Sequence, residues 1–185
     1  MLYDVNKTWF TGDQHFLHKN ICKEDFFASG NKRPWRTEPK MRQGIIERHN
    51  EVVKEDDTVI HVGDFAFTSN LMADRLRPIL DKLNGKHILV LGNHDELKPF
   101  KYIGVGFTSV MTSCIMELPF NGYTWKIAIV HDPSARCVFS NDWFFLCGHI
   151  HDLFKSIPEK LTVNVGVDVW DYYPINFSQI IKELS

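Results

Sequence analysis

Hydrophobic positions along this chain fall into short runs that repeatedly stop at polar clusters. Residues 8–11, 58–62, 86–91 and 144–147 are compact apolar or β-branched stretches, the pattern of strands buried on both faces. They run into Gly12-Asp13-Gln14-His15, Gly63-Asp64, Gly92-Asn93-His94-Asp95 and Gly148-His149-Ile150-His151 respectively. Residues 115–118 and 124–130 predict a hairpin, with Asn121-Gly122 supplying the turn. The second of these strands ends at His131, and a further strand is expected over 161–165.

Helical spacing appears between the strands. Met41, Ile45, Ile46, His49, Val52 and Val53 recur close to the helical period and predict a helix over 41–54. Residues 71–83 read as a helix that Pro78 interrupts or begins afresh, and 176–184 as a closing helix. Residues 22–39, with Arg33-Pro34-Trp35-Arg36, predict an excursion or lid-like loop. No repeat, low-complexity tract or linker divides the chain, so residues 1–185 are expected to form a single domain.

In α/β architectures ligands gather at the carboxyl ends of strands, which is the ground for treating the separate clusters as one site. Each cluster also has an ordinary explanation. Asp64 can be a helix cap or turn residue, Asn93 tolerates unusual backbone angles, and a lone His131 can be a hydrogen-bonded core residue. Taken together, Asp13, His15, Asp64, Asn93, His131, His149 and His151 offer four imidazoles, two carboxylates and one amide oxygen. That set is too rich in nitrogen for a calcium or purely magnesium site, and no cysteine is spaced for a closed structural zinc site. Asp13 and His15, two apart on extended chain, would share a face, and His149 and His151 would likewise place two imidazoles on one side. Two ions sharing Asp64 would account for the number of ligands; such ions sit roughly 3.5–4 Å apart and clamp the attacking and leaving oxygens of an in-line displacement.

Composition changes this picture at few points. A chain of 185 residues can bury a core without disulfides or a structural metal, so any metals are expected to be functional. The net charge of -2 gives no electrostatic case for a dedicated nucleic-acid binder. Cys22, Cys114, Cys137 and Cys147 are scattered, the N-terminus reads Met1-Leu2-Tyr3-Asp4, and no apolar run approaches bilayer length. The expectation is a cytoplasmic protein with reduced, mostly buried thiols and no membrane partner. Nine histidines, several beside Asp, Asn or Gly, is the one unusual count.

In order and kind, the five blocks resemble those of the calcineurin-like metallophosphoesterase superfamily: Asp13/His15, Gly63-Asp64, Gly92-Asn93-His94-Asp95, His131 and Gly148-His149-Ile150-His151. The resemblance is closest to small bacterial and phage members, on Asp13-Gln14-His15-Phe16, His18 and Asn20-Ile21 and on Asn164-Val165-Gly166-Val167-Asp168-Val169-Trp170. It implies an α/β fold, a four-layer sandwich of two mixed β-sheets flanked by α-helices. It implies that Asp13, His15 and His151 hold a first ion, Asn93, His131 and His149 a second, and that Asp64 bridges them. A metal-bound hydroxide would then attack phosphorus, with His94 facing the leaving oxygen as general acid or charge stabiliser.

The expected cofactors are two divalent transition-metal ions, manganese first, with iron, zinc, cobalt or nickel admitted by the ligand set. The expected substrate is a small, nucleotide-like or other phosphodiester; a phosphomonoesterase is the alternative within enzymes, and a non-catalytic interaction module the alternative outside them. Gly63-Asp64 continues as Phe65-Ala66-Phe67 with no carboxylate before Asp74. That argues against the protein phosphatase branch and leaves open what orients His94. His18, Arg33 and Arg36 are candidate substrate contacts, the two arginines with Lys32 forming either a phosphate-binding lip or a solvated loop. Asp132 and Asp152 are candidates to orient an imidazole, and Asp168 and Trp170 to line a wall. His61 is expected behind the site or in the core, and His49 and His87 in structural roles.

Overall fold

The computed structural model describes residues 3–23, 27, 29–67 and 74–185. The apolar runs become β1 (Thr8–Thr11), β2 (Thr58–Val62) and β3 (Lys86–Val90), and β4 (Ser109–Met111) extends them as parallel neighbours. The expected hairpin is β5 (Cys114–Phe120) and β6 (Tyr123–Ile129), followed by β7 (Phe144–Cys147), β8 (Ser156–Ile157), β9 (Thr162–Asn164) and β10 (Ile175–Asn176). Two mixed five-stranded sheets result, ordered β10-β1-β2-β3-β4 and β5-β6-β7-β9-β8. In the second sheet β6, β7 and β9 run parallel, with β5 and β8 antiparallel at the edges.

Side-chain alternation along the strands sets the layers. Phe10, Ile60, Val62, Ile88 and Val90 of the first sheet meet Met116, Leu118, Ile127, Ile129, Phe144, Leu146 and Val163 of the second. Each such side chain contributes about 1.5–3 kcal/mol on leaving water, which makes this seam the main source of cohesion. Leu89 faces the other way and packs on Met41 and Ile45 of α1 (Glu38–Val52), Leu80 of α2 (Arg77–Leu80) and Tyr102 of α3 (Pro99–Val105). The outer face of the second sheet carries Ala128, Phe145 and Cys147 under Phe139 and Trp143, beside a short 3-10 turn at Pro133–Val138. α4 (Phe177–Glu183) inserts Phe177 and Ile180 into the seam, its start fixed by a reciprocal cap between Asn176 and Gln179.

The architecture is the expected one, and the differences are local. Of the helix expected over 71–83, residues 71–73 lie outside the described residues, as do 24–26 and 28 of the excursion loop. Within the rest, the α-helix is only the single turn of α2, preceded by 3-10 backbone at 74–75, with Pro78 in its first turn, where the missing N–H costs nothing. α3, β4, β8 and β10 carried no readable pattern: they are short, and Phe100 and Ile103 of α3 point outward. Only Cys147 of the four free thiols is fully buried; Cys137, on the 3-10 turn, is exposed.

One buried feature is polar. Gln14 Nε2 donates to Thr11 Oγ1 (3.1 Å) and to His61 Nδ1 (3.0 Å). His61 Nε2 lies 3.1 Å from His87 Nδ1, and His87 Nε2 lies 3.2 Å from the Leu83 carbonyl. That carbonyl can only accept, so the direction of donation is fixed along the chain and both rings are neutral. His49 contacts the Asn84 carbonyl separately, at 2.8 Å. Burial holds the pKa of His61 and His87 below the ordinary value, and lowers that of His49 to about 4 against the pull of the Asn84 carbonyl.

A folded pKa below the unfolded one means stability that is complete above the unfolded value and lost as pH falls toward the folded value. Protonation of His49 as pH falls from about 7 to about 4.5 should therefore cost the metal-free protein about 2 kcal/mol of stability. Asp13 and Asp95, both raised to about 6 by burial, titrate with the opposite effect in any variant that retains them. Comparing urea midpoints of wild type and His49→Gln across this range isolates the histidine. The variant should show the shallower acid loss, and parallel curves would contradict the assignment.

Candidate metal centre

The carboxyl ends of β1, β2, β3, β6 and β7 converge, and the ligand-bearing residues follow them. What aims the side chains is an unusual backbone. Asp13 (φ 55°), His15 (52°), Asp64 (51°), His149 (74°) and His151 (50°) all lie in the left-handed region, which non-glycine residues seldom occupy. Asp13 and His15 therefore meet through two left-handed positions beyond the strand, not through the pleat of extended chain. For His149 and His151 the same device has the opposite result, because the two rings join different groups.

One donor atom each from Asp13, His15 and His151 lies within 4.8 Å of the others, and the same holds for Asp64, His131 and His149. Asp64 Oδ2 is 3.5 Å from His15 Nε2 and 3.4 Å from His131 Nε2, so one carboxylate oxygen stands between the groups. Asn93 Oδ1 adds to the second group, 3.0 Å from His131 Nε2 and 2.8 Å from His149 Nδ1.

These residues fit two cations. Among the described residues neither buried ring nitrogen of His15 has a hydrogen-bond partner, a costly arrangement unless something positive binds there. His131 Nδ1 faces the Val62 carbonyl at 2.9 Å and must carry hydrogen, which turns an Nε2 lone pair toward the oxygens of Asn93 and Asp64. Without an ion, a proton fills that gap: burial opposes charging His131, but Asp64, Asp13 and the Val62 carbonyl outweigh it and bring the pKa up to about 9.

The supporting residues are backbone-directed. Asp64 Oδ1 accepts the peptide N–H of His94 at 2.8 Å, and Asp13 accepts that of His149 at 3.0 Å. Asp95 is a staple: its carboxylate accepts from the N–H groups of Asp64, Phe65 and Gly92 and so locks two ligand loops together. Gly92 and Gly148 are demanded by proximity, since a Cβ there would sit 2.2 Å from Asp64 Oδ1 and 2.6 Å from Asp13 Oδ2.

Outside the ligands, the structure redraws several expectations. Arg33 is buried, with its five N–H groups facing Asp168, the carbonyls of Asp13 and Gln14, and Met41 Sδ. It is neither a phosphate-binding lip nor a solvated loop residue, because no donor remains for a substrate. Arg36 and Lys32 are exposed. Asp132 caps Ser134, and Asp152 accepts from Ser29 and Asn31, so neither orients an imidazole through these bonds. Asp168 contacts His151 Nδ1 at 2.9 Å, a role that the sequence reading had not assigned to it. Trp170 donates to the Asn164 carbonyl at 2.7 Å.

His94 is half-buried, its ring centroid 5.3 Å from that of His15, 5.5 Å from Phe67 and 6.3 Å from His18. His18 stacks on Phe67 at 4.5 Å. Rings surround His94, and among the described residues no carboxylate hydrogen-bonds its side chain.

Comparison with known proteins gives the same direction. The family model for calcineurin-like phosphoesterases matches residues 7–170. An uncharacterized protein of Methanocaldococcus jannaschii is 29% identical over 184 residues, spanning 96% of this chain and 91% of that protein. The gene 66 protein of Mycobacterium phage L5 is 25% identical over 191 residues, spanning 90% of this chain and 88% of that one. A crystal structure of a protein of unknown function from Aquifex aeolicus matches in fold, with a TM-score of 0.67 at 22% identity, over 99% of this chain and 100% of that chain.

The position of Asp64 Oδ2 between the groups leads to a direct test by metal analysis and calorimetry. Asp64→Asn should weaken binding of both ions, by more than the roughly 10–100-fold typical of losing an outer-shell partner. Retention of either ion at wild-type affinity would show that Asp64 does not bridge.

Proposed function

The chain belongs to the calcineurin-like phosphoesterase family, and from that premise we propose that it hydrolyses a small, nucleotide-like phosphodiester at a two-ion centre. The observation carrying the diester reading is the inward engagement of Arg33. A phosphomonoester presents a dianion, which calls for a basic side chain on its terminal oxygens. Arg33, which binds the backbone of Asp13, is already saturated, whereas the single charge of a diester makes a smaller demand.

Bound here, the ions would supply an acidified water and positive charge opposite the phosphate oxygens, with manganese the ion expected to serve. The chain supplies the holding and the proton. Asp13, His15 and His151 would hold one ion, Asn93, His131 and His149 the other, with Asp64 shared. His94 is the group we assign to the leaving oxygen, as proton donor or charge stabiliser. Its main chain is tethered to Asp64, and its ring is confined by His15, His18 and Phe67. His18 is the nearer of the remaining candidate substrate contacts; Arg36 stands on an exposed segment.

Protein stripped of metal and resupplied with manganese should cleave bis-p-nitrophenyl phosphate faster than p-nitrophenyl phosphate. The reverse preference would favour a phosphomonoesterase, and inactivity with every transition metal on both esters would favour a non-catalytic module. His94→Ala should bind metal as wild type does yet lose about 10²–10⁴-fold in turnover of an alkyl diester, whose poor leaving group needs a proton. Full activity on that substrate would remove His94 from the leaving-group role.

A further inference from the structure

We propose that Asp168, clamped by Arg33, is a positioning residue that fixes the ring of His151 for the first ion, so that its loss weakens that site and spares the second. The inference rests on the two-ion reading above. Asp168 Oδ2 lies 2.9 Å from His151 Nδ1, and the Asp168 side chain is 4% exposed. An ionised carboxylate can only accept, so Nδ1 carries the hydrogen and the imidazole lone pair is left on Nε2. The contact therefore selects a tautomer as well as an orientation.

Arg33 makes the arrangement sustainable. Its Nε and Nη2 grip Asp168 at 2.8 and 2.9 Å in a two-bond fork. Burial works to raise the Asp168 pKa, but Arg33 and His151 hold it below the ordinary carboxylate value. The same guanidinium donates to the carbonyls of Asp13, at 2.6 Å, and Gln14, at 2.8 Å. One cation thus ties the ring of one ligand to the left-handed backbone of another, through residues far apart in the chain. Asn164 completes the hold on His151 by donating to its carbonyl at 2.7 Å.

The second group is built differently. His131 is oriented by a neutral carbonyl, that of Val62, at 2.9 Å. His149 is exposed and meets Asn93. No described contact links Asp168 or Arg33 to either ring. If the Arg33–Asp168 pair merely braced the fold, its removal would affect both ions alike or neither. If it positions His151, the damage is confined to one.

The test is a cobalt(II) titration of the metal-stripped protein, followed by visible absorption and calorimetry. Wild type should fill two sites. Asp168→Asn should weaken one by about 10–100-fold and leave the other unchanged, while Asp168→Glu, which restores the charge, should recover part of the loss. Equal weakening of both sites, or of neither, overturns the proposal. Should Asp168→Asn not fold, the wild type itself decides, through imidazole ¹⁵N resonances of the metal-free protein. An Nδ1-protonated His151 supports the assignment and an Nε2-protonated one overturns it. A wild type that binds no metal at all would instead sink the two-ion reading, and this inference with it.

Discussion

Asp13, Asp64 and Asp168 bring three carboxylates into the region where the strand ends of the two sheets meet, each almost wholly withdrawn from water. Uncompensated buried charge is among the costliest things a fold can contain, and much of the local architecture is a response to it. Asp168 is neutralised by Arg33. Among the described residues Asp13 and Asp64 receive only peptide N–H groups and imidazoles, and burial pushes the Asp13 carboxyl up to about 6. The imidazoles turn lone pairs or unpartnered nitrogens toward the same space. Such a set is incomplete without positive charge, which protons supply at His131 when no ion is bound and divalent ions could supply to both groups.

That electrostatic demand explains why left-handed backbone is tolerated at five candidate ligands. Each such position costs on the order of 1 kcal/mol or more, and the surrounding chain holds it in place. The Asp13–His15 loop runs beside the Asp64 loop through bonds from Asp13 N to Gly63 O, His15 N to Asp64 O and Phe16 N to Phe65 O, each 3.0 Å. Asp95 joins the Gly92 turn to the same loop. The ladder between β1 and β2 thus continues past the last regular residue of each, and the Asp95 carboxylate takes its place toward the Gly92 turn. Ligands mounted this way are set before any ion arrives, so little ordering remains to oppose binding.

The sequence revealed this centre as chemistry more readily than as geometry. β1, β2 and β7 were readable to the residue because buried strands are continuous apolar runs, and the donors were readable because His, Asp and Asn cluster where those runs stop. The pleat argument for Asp13 and His15 reached the right pairing by the wrong route, since strand periodicity carries no information about φ beyond the strand end. Arg33 was misplaced for a different reason. Its burial depends on Asp168, 135 residues away, and no local pattern distinguishes an arginine awaiting such a partner from one facing solvent. Asp95 had the same difficulty: in sequence it is one more acid in a polar turn, and only the fold shows three N–H groups pointing at it.

Exposure within the centre is uneven, and this bears on how a substrate reaches it. Asp13, His15, Asp64 and His131 are buried, whereas Asn93 and His149 are exposed and His94 is half-buried. The two groups therefore differ in exposure: the first is the more enclosed, with only His151 partly open and braced by the Arg33–Asp168 pair, and the second combines buried Asp64 and His131 with exposed Asn93 and His149. On the proposed function, a phosphate ester entering from solvent would meet the Asn93–His149 side first. His94 reaches across toward the enclosed side, its ring nearest that of His15. A substrate bridging the two groups would then have its leaving oxygen beside His94 and the rings of His18 and Phe67, where an aromatic or heteroaromatic leaving group finds apolar contact and a bare alkyl group finds less. On the diester reading proposed above, selectivity among substrates would fall to the few side chains that flank His94, because metal ligands would recognise only the phosphate.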